Sequence, residues 1–189
     1  MDTYTIQTLK EQYLLHQNYQ KERMKILSSV KVRMAGIPED ISENMIKFIL
    51  HANGDTTSRW NNKTGDLVSE KEGKQECKCF TSSGPISFTP SSNWDVLYCL
   101  DSRQWFQDKF ILYKINLSKN SEEWKNIKVS KKQTFDNQAK QGRRPRIGWN
   151  NLFSQIEQHC EKVLEGNIFN LVINPLLATE ELSDLRLGE

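Results

Sequence analysis

The sequence has no long hydrophobic run and few cysteines. None of its stretches approaches the roughly 20 consecutive apolar residues that a bilayer-spanning helix needs. Its N-terminus lacks a basic segment followed by an apolar one, which argues against a secretory signal. Four cysteines in 189 residues are too few for a disulfide scaffold. These absences predict a cytoplasmic protein with reduced thiols and no membrane partner.

The sequence also lacks the motifs of several enzyme classes. No glycine-rich motif that cradles phosphates is present. His16, His51 and His159 have no nucleophile near them in the sequence, so Ser/His and Cys/His catalysis lack support. The formal net charge of only +2 argues against a protein that coats nucleic acid through charge alone. Five Trp, eight Phe and five Tyr nevertheless supply enough large apolar side chains for a core.

Two helices are predicted in the N-terminal part of the chain. Residues 3 to 31 predict an amphipathic helix for packing or dimerisation, and Pro38 introduces a second helix with Ser42 as its N-cap. Apolar residues recur near helical spacing in both, at Ile6, Leu9, Tyr13, Met24 and Leu27, then at Ile41, Met45, Phe48, Ile49 and Ala52. The length favours a single domain over residues 1–189, divided into an N-terminal helical appendage (1–35), a core (37–165) and a C-terminal tail (166–189).

From about residue 57 the pattern changes from helical to strand-like. Leu67 and Val68 begin a strand, residues 70–73 form a turn, and residues 75–80 return as the second strand of a hairpin. The apolar runs Val96–Leu100 and Phe110–Leu117 predict interior strands, and Trp149–Leu164 predicts a last helix. Helices and strands in this order predict an α/β core.

Two acids and a lysine lie on the predicted hairpin. Because side chains alternate along a strand, Glu76 and Lys78 share one face while Cys77 and Cys79 share the other. The turn would place Asp66 opposite Glu76, with Cβ atoms about 4.5 to 5.5 Å apart. Two carboxylates at that distance repel each other unless a cation lies between them. Oxygen ligands of this kind suit Mg²⁺, and the hairpin is therefore a candidate metal site for phosphodiester hydrolysis.

The acid-x-lysine pattern is degenerate. It occurs as Glu72-Gly-Lys74, Glu76-Cys-Lys78 and Glu123-Trp-Lys125. The first lies in the turn and the last in a polar stretch, whereas Glu76-Cys-Lys78 lies in a strand with Asp66 on the partner strand. The alternative is a surface hairpin with a cross-strand ion pair.

The order of these residues is similar to that of a known family. Gly65-Asp66…Glu76-x-Lys78, after a helix and before two hydrophobic strands, resembles the PD-(D/E)xK nuclease superfamily. The string from Gly73 to Asp101 resembles small type II restriction endonucleases, including the group that cuts GCNGC. The resemblance covers roughly residues 37 to 165, and Gly65 replaces the proline expected before the first acid. It implies an α/β (α+β) restriction-endonuclease-like core, a mixed central sheet flanked by helices, in the cytoplasm of a prokaryote.

The resemblance also implies a chemistry: Mg²⁺-dependent, sequence-specific cleavage of double-stranded DNA that leaves 5′-phosphates. Asp66, Glu76 and the Cys77 carbonyl would bind Mg²⁺, and Lys78 would orient or deprotonate the attacking water. Glu43, in the first turn of the second helix, resembles an auxiliary acid of some members. Its alternative is an ordinary acid at a helix N-terminus, paired with Lys47. Cutting both strands of a palindrome implies a homodimer, and the first helix is a candidate for its interface.

A basic segment between residues 124 and 148 is the candidate DNA-binding region. Its net charge is +7, whereas the whole chain carries +2, and such asymmetry can direct DNA to one face. The arginines of the run Gly142–Arg146 are the first candidates for base reading, because arginine can pair with guanine O6 and N7. Contacts with phosphates alone, or a solvated loop, are the alternatives. The hydroxyl-rich loop at 81–93 leaves the catalytic strand and could also reach DNA. The candidate contacts are Lys131, Lys132, Lys140, Arg143, Arg144 and Arg146 in the basic segment, and Ser82, Ser83 and Ser87 in the loop.

Other interpretations of the same residues remain open. Cys77-x-Cys79 with His159-Cys160 could supply four zinc ligands, but the spacing is irregular and alternation favours burial of the strand cysteines in the core. A repair or structure-selective nuclease would use the same acidic site. A non-catalytic DNA-binding module would keep the hairpin only as structure.

Overall fold

The structure of the protein is a computed structural model that describes residues 4–30, 35–61 and 66–179. Its helices are α1 (Ile6–Ile26), α2 (Glu39–Ala52), α3 (Glu122–Lys125), α4 (Phe135–Lys140) and α5 (Trp149–Ile156). Its strands are β1 (Arg59–Trp60), β2 (Leu67–Ser69), β3 (Gly73–Phe80), β4 (Pro85–Ser87), β5 (Val96–Gln104), β6 (Lys109–Ile115), β7 (Lys128–Ser130), β8 (Gln133–Thr134), β9 (Arg146–Gly148) and β10 (Cys160–Gly166). Residues 168–179 are helical, with a π-helical turn at Phe169–Ile173. Within the described ranges, no helix has the length and apolarity needed to cross a membrane.

One mixed sheet organises the chain. Six strands lie in the order β1-β2-β3-β5-β6-β10. The pair β3 and β5 is parallel, and the other neighbours are antiparallel. Two apolar clusters, described below, pack helices against the sheet. The predicted fold class, an α+β arrangement with a mixed central sheet flanked by helices, is confirmed.

The first apolar cluster joins α1, α2 and the helix at 168–179 to the sheet. Leu9, Tyr13, Met45 and Ile49 are fully buried in it. The Tyr13 ring lies 4.5 Å from that of Phe169. The predicted inward face of α2 is buried except for Ala52 at its end, and Met24 of α1 is 46% exposed. This packing holds α2 against β3.

The second apolar cluster joins the basic segment to the sheet. Trp94 and Trp124 are fully buried in it, and their rings meet edge to face at 5.3 Å. Phe88 and Phe135 complete the contact, at 5.4 and 5.0 Å from Trp124. Aromatic pairs of this geometry add stability beyond the area they bury. The cluster therefore anchors both the segment after β4 and the segment from α3 to α5.

The predicted N-cap of the second helix is wrong. Helix α2 begins at Glu39 with Pro38 as its N-cap residue, and the Ser42 hydroxyl donates a hydrogen bond to the Glu39 carbonyl at 3.1 Å. Proline has a fixed φ that suits a helix start, and the acids Glu39 and Asp40 interact favourably with the helix dipole. Glu43 consequently lies in the second turn rather than the first.

The predicted last helix is too long. Helix α5 ends at Ile156, and Cys160–Gly166 forms the edge strand β10, antiparallel to β6. The register pairs Cys160 with Ile115 and Gly166 with Phe110. Without β10, the outer edge of β6 would leave its backbone N–H and C=O groups unpaired, so pairing overrides the helical pattern of the sequence.

Candidate active site

The hairpin of β2 and β3 carries the candidate acids. Leu67 pairs with Gln75 and Ser69 with Gly73, a register that places Asp66 across from Glu76. Gly73 has a φ of +73°, and a Cβ atom there would collide with the Asp95 carboxylate. That carboxylate accepts a hydrogen bond from the Lys74 amide at 2.9 Å. A glycine is therefore required where the hairpin turns next to β5.

Three oxygen atoms converge on the Lys78 ammonium group. Its Nζ lies 2.6 Å from Glu76 Oε1 and 3.8 Å from Asp66 Oδ2, and it donates to the Cys77 carbonyl at 3.1 Å. Asp66 Oδ2 also accepts a hydrogen bond from the Cys77 amide at 2.7 Å. The oxygens that the resemblance assigns to a metal ion thus already surround one positive charge.

Burial and neighbouring charges shift the pKa values of Glu76 and Lys78. Glu76 is 2% exposed, and its Oε2 atom has no hydrogen-bond partner among the described residues. Burial raises the pKa of Glu76, an effect that Lys78 partly offsets and Asp66 reinforces. Burial alone would lower the pKa of Lys78, but the charges of Glu76 and Asp66 raise it instead. Burying a carboxylate oxygen without a partner costs free energy. A bound cation would remove that cost, and the oxygen is therefore available as a ligand.

Glu43 brings a third carboxyl group to the site from α2. Burial, then the charges of Asp66 and Glu39, raise the pKa of Glu43 to about 8. Lys47, its alternative partner, is buried with its Nζ 4.9 Å from the centre of the Phe48 ring. At neutral pH this raised pKa keeps the Glu43 carboxyl largely protonated, so the third acid adds a hydrogen-bonding group to the site rather than a further negative charge.

The donor set fits Mg²⁺. Two carboxylates and one carbonyl leave room for the water and phosphate oxygens that this ion keeps in its coordination shell. The unpartnered Oε2 of Glu76 supplies a further acceptor atom. No group of three or more His, Cys, Asp or Glu side chains with metal-binding geometry occurs in the described part of the chain. A cation here would therefore depend on the Cys77 carbonyl as its third protein ligand.

Three of the four possible zinc ligands, Cys77, Cys79 and Cys160, do not pack against the same apolar cluster. Cys77 is buried in the first apolar cluster, and Cys79 packs against the same cluster. Cys160 packs against the second cluster. Burial raises the pKa of Cys79 to about 11, so its thiol stays protonated at neutral pH. These cysteines behave as small core residues.

Two adjoining cavities form a cleft at the acidic site, and we call them together the cleft. The first cavity has a volume of about 490 Å³ and the second about 690 Å³. Both are lined by Glu39, Lys78, Cys79, Thr89 and Arg144. The first adds Glu43, Asp66, Glu76 and Ser92, and the second adds Ser82, Ser87, Arg103 and Arg146. Acidic and basic groups thus face the same space.

The candidate DNA contacts divide into two sets. Arg144 and Arg146 line the cleft, and the pairing of Arg146 with Ser87 joins β9 to the loop that follows β3. The other basic residues lie outside both cavities. Lys131 and Lys132 are exposed between β7 and β8, Lys140 pairs with Asp136 at 2.7 Å, and Arg143 donates to Gln133 at 3.1 Å. Ser82 lines the second cavity, and Ser83 lies beside it, exposed.

Sequence reasoning missed Lys119 as a support of this site. Its ammonium donates to the carbonyls of Pro90 and Ser92 and lies 5.7 Å from the Trp94 ring. Its charge also counteracts the effect of burial on the pKa of Glu76. No motif distinguishes this lysine from the others in its polar surroundings, since only the folded chain brings it to the carbonyls of Pro90 and Ser92. Ser92 in turn lines the first cavity.

Comparisons with known proteins give two matches. Residues 2–156 match the family model described as Bsp6I restriction endonuclease. Among curated proteins, the type II restriction enzyme Bsp6I of Bacillus sp. (strain RFL6) is 46% identical over 61 residues, which are 32% of this chain and 33% of that enzyme. The alignment thus spans about a third of the length of that relative. No solved structure matches the chain.

Proposed function

Because the chain belongs to the Bsp6I restriction endonuclease family, we propose that it cleaves both strands of DNA at a defined sequence. Its cofactor is Mg²⁺, its products carry 5′-phosphates, and its site is of the PD-(D/E)xK type. One observation carries this proposal: Asp66 Oδ2, Glu76 Oε1 and the Cys77 carbonyl converge on a single positive charge.

The side chains divide the chemistry between them. Asp66, Glu76 and the Cys77 carbonyl would hold the ion, which supplies positive charge to the phosphate and to the leaving 3′-oxygen. Lys78 orients the water that attacks phosphorus as the bond to the 3′-oxygen breaks. Since the pKa of Lys78 is raised in the metal-free protein, its ammonium donates hydrogen bonds there rather than accepting a proton.

The substrate in this proposal is double-stranded DNA, held in the cleft by Arg144 and Arg146. One cleft of this kind cuts one strand, so cutting both strands of a palindrome needs a second copy. Helix α1 is the proposed interface, because Leu15, Tyr19 and Ile26 lie along one of its faces and are 72, 61 and 79% exposed. Exposed apolar side chains arranged in this way favour association with another chain.

Digestion of plasmid DNA tests this function. The wild type is incubated with Mg²⁺ or with EDTA, next to Lys78→Ala and a matched control, Lys162→Ala. Lys162 pairs with Glu165 at 2.5 Å on β10, outside the cleft and outside the basic segment. We expect discrete fragments from the wild type and the control in Mg²⁺ only, and none from Lys78→Ala.

The alternatives give different products. A smear would indicate non-specific cleavage, and cutting restricted to damaged or branched DNA would indicate a repair nuclease. Binding without any cutting would indicate a non-catalytic DNA-binding module. Full activity in Lys78→Ala would overturn the site assignment even in an active enzyme. Sequencing of the fragment ends identifies the recognition site, with GCNGC as the first sequence to compare.

A further inference from the structure

Arg103 lies at the end of β5, in the second cavity of the cleft. In the parallel pairing of β3 with β5, Asp101 lies beside Phe80, two residues beyond Lys78 on the catalytic strand. Arg103 shares the second cavity with Arg144 and Arg146. It belongs to neither the acidic site nor the basic segment.

The guanidinium of Arg103 is held on two sides. Its Nε donates to the two Asp101 carboxylate oxygens at 2.9 and 3.1 Å, and its Nη2 donates to Oδ2 at 2.6 Å. Its Cζ atom lies 5.7 Å from the centre of the Phe80 ring, which stacks on Trp149 at 5.1 Å. The carboxylate side chain is 7% exposed, whereas the arginine side chain is 38% exposed. A buried acid and an aromatic surface thus fix a group that reaches solvent.

One edge of this guanidinium remains available. Asp101 occupies the edge formed by Nε and Nη2, while Nη1 makes no hydrogen bond to any residue that the structure describes. The terminal edge therefore offers one N–H from Nη1 and one from Nη2, side by side. Two parallel donors of this kind match the O6 and N7 acceptors that guanine presents in the major groove.

We propose that Arg103 is a specificity-determining residue that binds a guanine of the recognition sequence in the major groove. This inference rests on the proposed function, because it requires DNA in the cleft. A base contact fits this arginine better than a phosphate contact, since Asp101 already compensates its charge and fixes its plane. A phosphate contact depends chiefly on net charge, whereas reading a base edge depends on a rigid geometry.

A cycle of paired changes in protein and DNA tests the contact. The substrate is a duplex that carries the cleavage site mapped from the plasmid digest, with each guanine replaced in turn by 7-deazaguanine, which lacks the N7 acceptor. Wild type, Arg103→Lys and Lys162→Ala are compared by kcat/KM in Mg²⁺. Lys162 is the control because it pairs with Glu165 at 2.5 Å on β10, outside the cleft.

We expect one guanine at which 7-deazaguanine lowers kcat/KM of the wild type and of Lys162→Ala about tenfold or more, the scale of a bidentate arginine–guanine contact. Arg103→Lys keeps the positive charge but loses the two parallel N–H donors of the guanidinium. It should be slower by a similar factor on normal DNA and lose nothing further with 7-deazaguanine at that position. Asp101→Asn should weaken the same discrimination by releasing the guanidinium, and thermal melts confirm that each variant is folded.

The outcomes separate this inference from the function on which it rests. If the losses in kcat/KM caused by Arg103→Lys and by 7-deazaguanine add at every guanine, and the variant is folded and active, the base contact is wrong while the proposed function stands. Equal weakening on all sequences would assign Arg103 to a phosphate and likewise overturn it. A wild type that cuts no DNA would overturn the proposed function and the inference together.

Discussion

The hairpin and the basic segment are both rich in charged residues, but only in the hairpin does folding bring all the candidate site residues close together. In the hairpin, Lys78 lies within 4 Å of carboxylate oxygens from both Asp66 and Glu76. In the basic segment, Arg144 and Arg146 line the cleft while the lysines at 131, 132 and 140 lie outside it. In a hairpin, the pairing of adjacent strands fixes which residues lie opposite each other, so sequence spacing predicts the distances. The basic segment contains several short elements, α3, β7, β8, α4 and β9, so sequence spacing does not predict where its side chains lie.

Removing a candidate metal ligand from the hairpin should have the largest effect. Glu76→Gln removes the negative charge of the buried ligand, so we expect a loss of DNA cleavage of at least about 100-fold. We also expect Mg²⁺ to raise the melting temperature of the wild type and to leave that of Glu76→Gln unchanged. Glu122→Gln is the matched control, since Glu122 is exposed and paired with Lys125. A normal Mg²⁺ response in Glu76→Gln would contradict the assignment of the site.

One glycine in each region has a positive φ, so replacing each with alanine compares how well the hairpin and the basic segment tolerate backbone strain. Gly73 in the hairpin and Gly142 in the basic segment have φ values of +73° and +68°. An alanine at either position costs about 1–3 kcal/mol of backbone strain. Only at position 73 does the new Cβ collide with Asp95, so Gly73→Ala should lose more stability in urea unfolding and also cleavage activity. Equal losses in the two variants would mean that the Asp95 contact does not fix the hairpin.

Arg144 and Lys131 test whether position or charge count governs DNA binding. Arg144→Ala should weaken binding by about 1–3 kcal/mol, because it removes a positive charge from the cleft. Lys131→Ala removes the same charge from an exposed turn and should cost less. Affinity measured over a range of salt concentrations, with Ca²⁺ replacing Mg²⁺, gives both values. Indistinguishable effects would favour binding through the whole basic segment.

Glu43 gives a pH-dependent test of the acidic site. Its pKa is raised to about 8 in the folded, metal-free protein, from 4.5 in the unfolded chain. The folded state therefore holds the proton more tightly, and stability falls as pH rises from about 4.5 to 8. Glu43→Gln should raise the melting temperature in EDTA at pH 8.5 and leave it nearly unchanged at pH 4. An equal gain at both values would exclude titration of Glu43 as the cause.

Sequence patterns were informative where the contacts are local. Alternation along β3 separates Cys77 from Glu76, and the hairpin turn brings Asp66 across from Glu76. They failed where a distant strand decides the conformation. The helical spacing of residues 160–164 is overridden because β10 completes the pairing of β6. They did not identify Lys119, whose ammonium reaches the Ser92 carbonyl beside the Trp94 ring only in the folded chain.

By itself, the sequence determined the α+β class and the placement of Asp66 across the hairpin from Glu76 and Lys78, because a short hairpin has few possible registers. The tertiary structure alone decided which positive charges line the cleft beside those acids. Pairing of β4 with β9 brings Arg146 to the loop after β3, and the parallel pairing of β3 with β5 brings Arg103 beside Phe80. These contacts join residues far apart in the chain, and they form only when the two apolar clusters close around the sheet.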